Sequence, residues 1–338
     1  MNINRVGIDL AKNVFQVHGV DRDGRVVLRR QLRRNQMRAL LSALPPCLIG
    51  MEACGGAHYW GRELSRMGHT VRLMAPQFVK PYVKSGKNDA NDAEAICEAV
   101  SRPSMRFVRV KTVEGQVMQA EHRVRSRLVR ARTALVNEIR GLLGEFGVIA
   151  PTGIGALRRA LPEILEDGEN GLTGEFRRLL YELWEELRAL DERTGCHDAR
   201  IEAHAKGDQR VRRLMQIEGI GPVSASALVA AVGDARQYRN GREMAAALGL
   251  VPNQHSSGGR QRLGHISKHG DAYLRTLLIH GARSAMRTAV NKEDARSRWV
   301  TALAKRRHHN IAAVALANKN ARIAWALLAR EQEYRRAA

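Results

Sequence analysis

Apolar positions in the first third of the chain follow first the spacing of strands and then that of helices. Short apolar runs alternate with amphipathic stretches, and Asp-Arg-Asp-Gly at 21–24 separates the second run from the third. Asp-Gly between apolar runs favours a hairpin turn. The predicted strands cover 6–9, 14–20, 25–28, 47–52 and 70–74, and the predicted helices cover about 36–44 and 57–67. This order predicts an α/β domain over residues 1–111.

The apolar spacing becomes helical after this domain. From Val113 to Leu143 it advances in steps of three, four and seven. A Gly- and Pro-rich interval at 144–174 interrupts it, and a four-three spacing then resumes from Phe176 to Leu190. Such spacing is typical of a coiled-coil seam. We therefore expect a central antiparallel coiled-coil hairpin over residues 112–205, serving domain packing or dimerisation.

Residues 206–338 are predicted to form a helical domain. Its first part consists of a helical stretch, Gly219-Ile220-Gly221 and a second helical stretch, which is the pattern of a helix-hairpin-helix. Gly219 and Gly221 permit a tight turn whose free amides can hold a nucleic-acid phosphate. Many helix pairs turn on glycine without any ligand, so the alternative of a purely structural turn stays open.

Four carboxylates in the first third of the chain suit a metal site. Asp9 and Glu52 each end an apolar run, so they lie at the carboxyl ends of predicted strands, where neighbouring strands converge. Asp89 and Asp92 lie three residues apart at the start of a predicted helix and share one face. Two Mg²⁺ ions about 3.5 to 4 Å apart would neutralise these charges and could position a phosphodiester. The pattern indicates nuclease chemistry.

A polar segment at 249–270 lacks helical periodicity and is rich in Ser, Gly, His, Arg and Lys, so we expect a loop. Phosphoryl chemistry could use such a segment, since a hydroxyl can attack phosphorus and cations can stabilise the charge that develops. A flexible phosphate-binding loop is the alternative, and composition alone favours it. The candidate residues are Ser257, Ser256, Arg260, Arg262 and Lys268.

The charge balance indicates a polyanionic partner. The chain has 56 Lys and Arg against 34 Asp and Glu, a net charge of +22. An arginine-rich proteome would give the same bias without functional meaning. Arg123, Arg127 and Arg130 share one face of the first long helix, where they form either a nucleic-acid track or a solvated face.

The cysteines and the apolar runs indicate in which cellular compartment the protein is expected. The four cysteines lack the spacing of zinc ligands, which favours free thiols in a reducing environment. No apolar run approaches the roughly 18 residues of a membrane span, and the first residues enter a strand directly, unlike a signal peptide. We therefore expect a cytoplasmic, nucleoid-associated protein of a prokaryotic cell, without a membrane partner.

Five motifs together carry a family resemblance. The acids lie in Gly7-Ile8-Asp9-Leu10-Ala11-Lys12, Met51-Glu52-Ala53-Cys54-Gly55 and Lys87-Asn88-Asp89-Ala90-Asn91-Asp92-Ala93, and the C-terminal motifs are Ile217 to Pro222 and Gly249-Leu250-Val251-Pro252 leading to Ser256-Ser257-Gly258-Gly259. In this order and spacing they resemble the DEDD-type transposases of the insertion-sequence 110/1111 family, which are bridge-RNA-guided recombinases. The strand order, with acids on the first and fourth strands, is that of a ribonuclease-H-like fold, and the N-terminal motifs resemble the RuvC-like domain of this family.

The resemblance implies a divided active site. The four acids would hold Mg²⁺, and Ser257 would attack the scissile phosphate to form a covalent protein–DNA intermediate, with Ser256 as the alternative nucleophile. It also implies a structured guide RNA, the bridge RNA, whose loops pair with donor and target DNA. Strand exchange needs several active sites, so a homo-oligomer, a dimer or a tetramer, is expected.

Two other functions remain in competition at this point. In a Mg²⁺-dependent junction-resolving nuclease, the acids would activate water and the serine segment would only bind phosphate. In a non-enzymatic architectural protein, the carboxylates would be structural. The sequence disfavours the latter, because a protein that only binds polyanions gains nothing from four converging negative charges.

Overall fold

A six-stranded mixed sheet forms the centre of the N-terminal unit, Met1–Glu114, in the computed structural model, which describes residues 2–84, 86 and 88–335. The strands are β1 Arg5–Leu10, β2 Val14–Val20, β3 Val26–Arg33, β4 Leu48–Glu52, β5 Thr70–Met74 and β6 Phe107–Val108. The helices are α1 Arg34–Ser42, α2 Ala57–Arg66, α3 Pro76–Val79 and α4 Asp89–Ala99. This region is therefore mixed α/β, whereas the rest of the chain is mostly helical.

The strands lie in the order β3-β2-β1-β4-β5-β6. β1, β2 and β3 are antiparallel neighbours, whereas β1, β4 and β5 are parallel, and β6 pairs antiparallel with β5. Asp21 fixes the turn of the β2–β3 hairpin, because its Oδ1 accepts hydrogen bonds of 2.9 Å from the amides of Asp23 and Arg25. The parallel pairing of β1 with β4 brings the carboxyl ends of both strands to the same edge.

Gly7 in the middle of β1 allows helix α4 to lie directly on the sheet. A Cβ at this position would overlap the carbonyl oxygen of Ala93 and the amide of Cys97, both in α4. Gly50 in β4 likewise faces Val100, whose side chain a Cβ would meet at 2.8 Å. The first turn of α4 is thereby held close to the ends of β1 and β4, and this packing positions the acidic side chains.

Two long helices begin the helical part: α5 Val113–Glu145 and α7 Gly174–Gly207. They are antiparallel, because Arg125 pairs with Asp198 whereas Arg132, one heptad further, pairs with Asp191. Their leucine and isoleucine side chains pack into one core. The Gly- and Pro-rich interval between them contains a helix that the sequence pattern missed, α6 Ile154–Glu166, which buries Leu157 and Leu161.

The C-terminal unit, Gly115–Ala338, continues with further helices around one large core. The helices are α8 Gln209–Met215, α9 Pro222–Val232, α10 Gly241–Ala247, α11 Ala272–Ala289, α12 Ala295–Arg306 and α13 His309–Arg330. In place of an irregular loop, the segment between α10 and α11 forms an antiparallel hairpin, β7 Pro252–Gln254 and β8 Leu263–Ile266. The sequence pattern missed these strands because both are short and neither alternates apolar with polar residues.

Among the described residues, no helix is long and apolar enough to cross a membrane.

Candidate active site

Three of the four predicted acids converge at one edge of the sheet. Carboxylate oxygens of Asp9, Asp89 and Asp92 all lie within 4.8 Å of one another. Asp9 is the penultimate residue of β1, and the other two lie in the first turn of α4. The side chain of Asn88 caps this helix by accepting a hydrogen bond of 2.8 Å from the amide of Asn91. Lys87, from the same motif, lies outside the described residues.

Glu52 occupies the adjacent strand end but stands outside this group of three. It is the last residue of β4, whose Met51 pairs with Ile8 of β1, so Glu52 and Asp9 are neighbours in register. Among the side chains that the structure describes, the group within 4.8 Å contains only the three aspartates. Glu52 is nevertheless close enough to respond to the charges of Asp9 and Asp92.

Burial and mutual repulsion make the charges of these acids costly. Burial raises the pKa of the Asp9 carboxyl, and the charges of Asp92 and Asp89 raise it further. Burial also raises the pKa of Glu52, with added contributions from Asp9 and Asp92. A cation would relieve this repulsion, and oxygen ligands are those that hard divalent cations prefer. The donor set therefore fits a hard divalent cation.

Cys54, whose spacing in the sequence indicates only a free thiol, is a neighbour of the acids. Its Sγ lies 3.9 Å from the carbonyl oxygen of Leu10, at the end of β1. Burial raises the pKa of this thiol, and the charges of Glu52 and Asp9 raise it further. Its position two residues after Glu52 was the signal available in the sequence. Because the thiol is held in its neutral form, it is a poor ligand for a hard cation.

The predicted serine lies at the tip of the β7–β8 hairpin. The amide of Arg260 donates a hydrogen bond of 3.0 Å to the carbonyl of Ser257, and Gly258 and Gly259 between them have φ of +54° and +76°. Two positive φ angles at the centre of a two-residue turn are typical of a type I′ hairpin. Arg260 and Arg262 are exposed between this turn and the start of β8. The hairpin thus presents serine and arginine together.

The two adjacent serines differ in their surroundings. The hydroxyl of Ser256 accepts hydrogen bonds from the side chain of Gln254 at 2.9 Å and from the amide of Arg262 at 3.3 Å. Ser257 is exposed, and within the described part of the chain none of the side-chain hydrogen bonds involves its hydroxyl. Ser256 is therefore engaged in holding the hairpin together, whereas the hydroxyl of Ser257 is available.

Two glycines close the base of this hairpin. Gly249 has φ of +69°, and a Cβ there would overlap the carbonyl oxygen of His269; Gly270 has φ of +79°, and its Cβ would overlap that of Ala247. Lys268, between them, also adopts a positive φ of +54°. The two ends of the segment are thus packed backbone against backbone, which fixes the direction in which the hairpin leaves the helices.

Comparison with known proteins identifies the family. A family model described as "Transposase IS116/IS110/IS902 family" matches residues 211–299, and a DEDD-type model of IS110, described as "Transposase", matches residues 6–147. A "Probable family 20 transposase" of Pseudomonas aeruginosa is 62% identical over 99% of this chain and 99% of its own length. The chain belongs to the IS110/IS116/IS902 transposase family.

Two further relatives agree with this assignment. The "Transposase for insertion sequence element IS1111A" of Coxiella burnetii is 48% identical over 99% of this chain and 92% of its own length. The "Transposase for insertion sequence element IS1328" of Yersinia enterocolitica is 43% identical over 96% of both chains. The protein is thus an insertion-sequence transposase, an enzyme that acts on DNA, and its DEDD-type domain indicates dependence on a divalent metal ion.

The predicted nucleic-acid contact residues on α5 are all exposed. Arg123, Arg127 and Arg130 are all exposed on α5, in contrast to Arg125 and Arg132, which are engaged in ion pairs with α7. These three arginines therefore present a continuous cationic face.

The Gly219–Gly221 turn joins α8 to α9 and is packed on one side. A Cβ on Gly219 would overlap the carbonyl oxygen of Gly281 in α11, whereas Gly221 is exposed at the start of α9. The carbonyl of Glu218 accepts hydrogen bonds from Arg296 at 2.8 Å and Asn320 at 3.1 Å. The close approach to α11 explains the first glycine without any ligand, and a phosphate role for the turn stays a prediction.

Proposed function

We propose that this transposase cuts and rejoins DNA through a covalent serine–phosphate intermediate. Ser257 is the nucleophile, and Asp9, Glu52, Asp89 and Asp92 hold Mg²⁺. The contrast between the two adjacent serines carries the assignment: both are exposed, but the Ser256 hydroxyl accepts two hydrogen bonds within the hairpin, whereas that of Ser257 accepts none from the described side chains and amides. A nucleophile must be reachable by the phosphate, and only Ser257 meets this requirement without breaking hydrogen bonds.

In the proposed cleavage step, Oγ of Ser257 attacks the scissile phosphorus. The Oγ–P bond forms, the bond from phosphorus to one deoxyribose oxygen breaks, and that oxygen takes up a proton as the serine loses one. Rejoining is the reverse: a deoxyribose hydroxyl attacks the phosphoserine and the serine regains its proton. Arg260 and Arg262, on the same hairpin, are suited to bind the phosphate oxygens as charge develops.

The acids have a separate role in this proposal. A divalent ion bound to the carboxylates would supply neutralisation of phosphate charge and polarisation of a phosphoryl oxygen. Asp9, Asp89 and Asp92 are the primary holders because their oxygens lie within 4.8 Å of one another, and Glu52 completes the set from the neighbouring strand. We also infer that the α/β unit is a ribonuclease-H-like, RuvC-like domain, which the acids at the ends of β1 and β4 support.

The partners are donor and target DNA together with a structured bridge RNA. Base pairing by the RNA would supply sequence specificity, and the protein would contribute contacts to the backbone. The net charge of +22 and the exposed arginines of α5 support two polyanionic partners. A dimer or tetramer, with α5 and α7 as a coiled-coil contact, would supply the several active sites that strand exchange needs.

Comparison of Ser257→Ala with Ser256→Ala tests the nucleophile. The full-length protein is incubated with Mg²⁺, its co-purified RNA and labelled DNA carrying the insertion-sequence junction, and covalent adducts are separated on denaturing gels. We expect Ser257→Ala to form no adduct and no recombinant, while binding DNA normally, and Ser256→Ala to retain the adduct at a reduced rate. If Ser257→Ala cuts DNA normally while Asp9→Asn does not, the protein is a junction-resolving nuclease that uses water.

Sequencing of the RNA that co-purifies with the protein tests the guide. A single discrete structured species, encoded beside the gene, is the expected result. Heterogeneous cellular RNA would contradict RNA guidance without affecting the assignment of the nucleophile.

A further inference from the structure

A large cavity in the C-terminal unit lies at the base of the serine hairpin. It has a volume of about 1280 Å³ and is lined by residues of β7 and β8, the start of α10, Trp299 of α12 and the length of α13. Small-molecule sites measure roughly 300 to 1,000 Å³. A cavity of this size accommodates a segment of a polymer.

The charged side chains that line this cavity are all basic. Arg242, Lys268, Lys319, Arg322 and Arg330 line it, and no aspartate or glutamate is found among its described lining residues. None of the five takes part in an ion pair in the described part of the chain. Burial lowers the pKa of Lys319, and the charges of Arg296 and Arg322 lower it further. A polyanion would compensate these charges, so the cavity complements a phosphate backbone.

The wall of the cavity is apolar and aromatic. The indole of Trp325 is fixed, because its Nε1 donates hydrogen bonds of 3.1 Å to the carbonyls of Ala235 and Tyr238. Trp299 is half-buried, and the ammonium of Lys319 lies 4.5 Å from its ring centroid. Rigid aromatic rings beside cations are the features on which unpaired bases stack in single-stranded nucleic-acid sites.

This combination favours unpaired nucleotides over a duplex. A duplex presents sugars and phosphates outward and keeps its bases stacked inside, so its base faces cannot contact an apolar wall. An unpaired strand exposes both its phosphates and its base faces. The basic side chains of the cavity can contact the phosphates of such a strand, and its tryptophans can stack on the exposed bases.

The position of the cavity connects it to the serine. Pro252 and Ile266, a paired couple of the hairpin, line the cavity, and Ser257 lies five residues beyond Pro252 at the tip. Five extended residues span roughly 16 Å, the length of about five stacked nucleotides. A DNA strand bound at Ser257 can therefore continue along the hairpin into the cavity.

We propose that the cavity between the serine hairpin and α13 binds unpaired nucleotides of the DNA strand that flanks the phosphate attacked by Ser257. The proposal rests on the proposed function, because it takes the occupant to be the strand that Ser257 cuts. Trp299 and Trp325 stack the bases, while Lys319 and Arg322 contact the phosphates.

Binding measurements on the full-length protein test this site. The probes are fluorescently labelled oligothymidylate of about 16 nucleotides, the upper end of single-strand site sizes, its duplex with oligoadenylate, and oligouridylate of the same length. The variants are Trp299→Leu, Lys319→Met and Arg322→Ala, and the matched control is Arg287→Ala, an exposed arginine of α11 outside the cavity. Circular dichroism melting confirms that each variant folds.

We expect Trp299→Leu to weaken binding of oligothymidylate about tenfold, the scale of one lost base-stacking contact. Lys319→Met and Arg322→Ala should each reduce the slope of log affinity against log salt by about one, as for one lost phosphate contact. Duplex binding and the Arg287→Ala control should change less than about twofold. Because Arg322 is exposed, its variant gives an answer even if Trp299→Leu does not fold.

Three outcomes would overturn the proposal. In the first, the variants bind oligothymidylate as well as the wild type does; in the second, they lose as much affinity for the duplex as for oligothymidylate. In the third, they lose affinity only for oligouridylate, which would assign the cavity to RNA. Ser257→Ala separates this proposal from the proposed function. That variant should keep full oligothymidylate affinity, so an unchanged recombination rate in Ser257→Ala would refute the nucleophile while leaving the binding result intact.

A crosslinking measurement locates the strand. DNA carrying 5-iododeoxyuridine at successive positions from the cleaved phosphate is irradiated with the Ser257→Ala protein, and the crosslinked peptides are sequenced. Crosslinks to Trp299 or Trp325 within about five nucleotides of the cleaved phosphate are expected. Crosslinks to these tryptophans from distant positions only would contradict the proposed path.

Discussion

The imidazole Nδ1 of His122 lies 3.1 Å from the hydroxyl of Tyr273, which ties the N-terminal third of the long helix α5 to the first turn of α11. On its other side, His122 Nε2 lies 3.0 Å from the hydroxyl of Ser226 in α9, and that hydroxyl donates to the carbonyl of Pro222 at 2.7 Å. Ser226 must therefore accept from Nε2–H. Because burial lowers the pKa of His122 to about 4, the ring is neutral near pH 7 and its Nδ1 accepts from the hydroxyl of Tyr273. Because α11 begins just after Gly270, this network connects α5 with the base of the serine hairpin.

The free energy of unfolding should decrease at acidic pH, because His122 is buried in its neutral form. Burial, with a smaller contribution from the charge of Arg125, lowers the pKa of His122 to about 4. The unfolded chain therefore binds a proton at a pH where the folded one does not, and stability falls as the pH drops from about 6.5 to about 4. The loss attributable to this group is at most on the order of 3 kcal/mol. Urea denaturation at successive pH values measures it.

The matched variant for this measurement is His122→Gln, which cannot titrate. Other histidines titrate in the same range, so the difference between wild type and variant is the informative quantity. A wild-type slope between pH 4 and 6.5 that persists unchanged in His122→Gln would show that the buried imidazole is not its source.

Removal of one hydroxyl from this network should destabilise the helical unit. Tyr273→Phe leaves Nδ1 of the buried His122 without its donor, at a cost of about 1 to 3 kcal/mol. Tyr181→Phe is the control, because Tyr181 is 51% exposed on α7 and should change stability by less than about 0.5 kcal/mol. Equal unfolding free energies for the two variants, measured by chemical denaturation, would contradict the role of Tyr273.

Substitution of the aspartates should weaken metal binding much more than it destabilises the fold. Asp9→Asn and Asp92→Asn each replace one of three convergent carboxylates by a neutral amide, so we expect weak or undetectable Mg²⁺ binding in calorimetry. In the wild type, saturating Mg²⁺ should stabilise the fold by about 2.7 kcal/mol at a hundredfold excess over Kd, and this gain should vanish in both variants.

Glu52→Gln and Asp23→Asn serve as the intermediate variant and the control for Mg²⁺ affinity. Glu52 stands outside the three-carboxylate group, so its variant should weaken Mg²⁺ affinity less than Asp9→Asn does. Asp23 is exposed in the β2–β3 turn, and its variant should bind metal as the wild type does. Unchanged affinity in Asp9→Asn and Asp92→Asn would exclude these side chains as ligands.

The base of the serine hairpin should tolerate no side chain. Gly249→Ala and Gly270→Ala combine a positive φ with overlap between the new Cβ and a backbone oxygen, so each should cost about 2 kcal/mol or more. Gly259→Ala, at the tip, has a positive φ but open space around it, so only about 1 to 2 kcal/mol of backbone strain is expected. Thermal melting ranks the three variants, and limited proteolysis shows whether the hairpin detaches. A larger effect at Gly259 than at Gly249 would contradict the closed base.

The sequence by itself determined the local elements that bear a strong pattern. Apolar runs ending at Asp9 and Glu52 predicted strands whose carboxyl ends meet, because parallel neighbours place equivalent ends at one edge. The spacing of Asp89 and Asp92 predicted one helix face, and the three- and four-residue steps after Val113 predicted the long helices. These signals are periodic, so a single segment contains all the information they need.

Only the tertiary structure decided which residues meet across the chain. His122 occupies an ordinary position of a helical pattern, and its partner Tyr273 is 151 residues away. In the sequence Gly7 is an ordinary strand residue, and only the structure shows that α4 packs directly against it. The residues that line the cavity come from segments that share no sequence motif. Ser256 and Ser257 are adjacent in sequence, and only the structure shows that the hydroxyl of Ser256 accepts hydrogen bonds from Gln254 and Arg262. Such contacts arise from packing between elements, and residue order does not encode them locally.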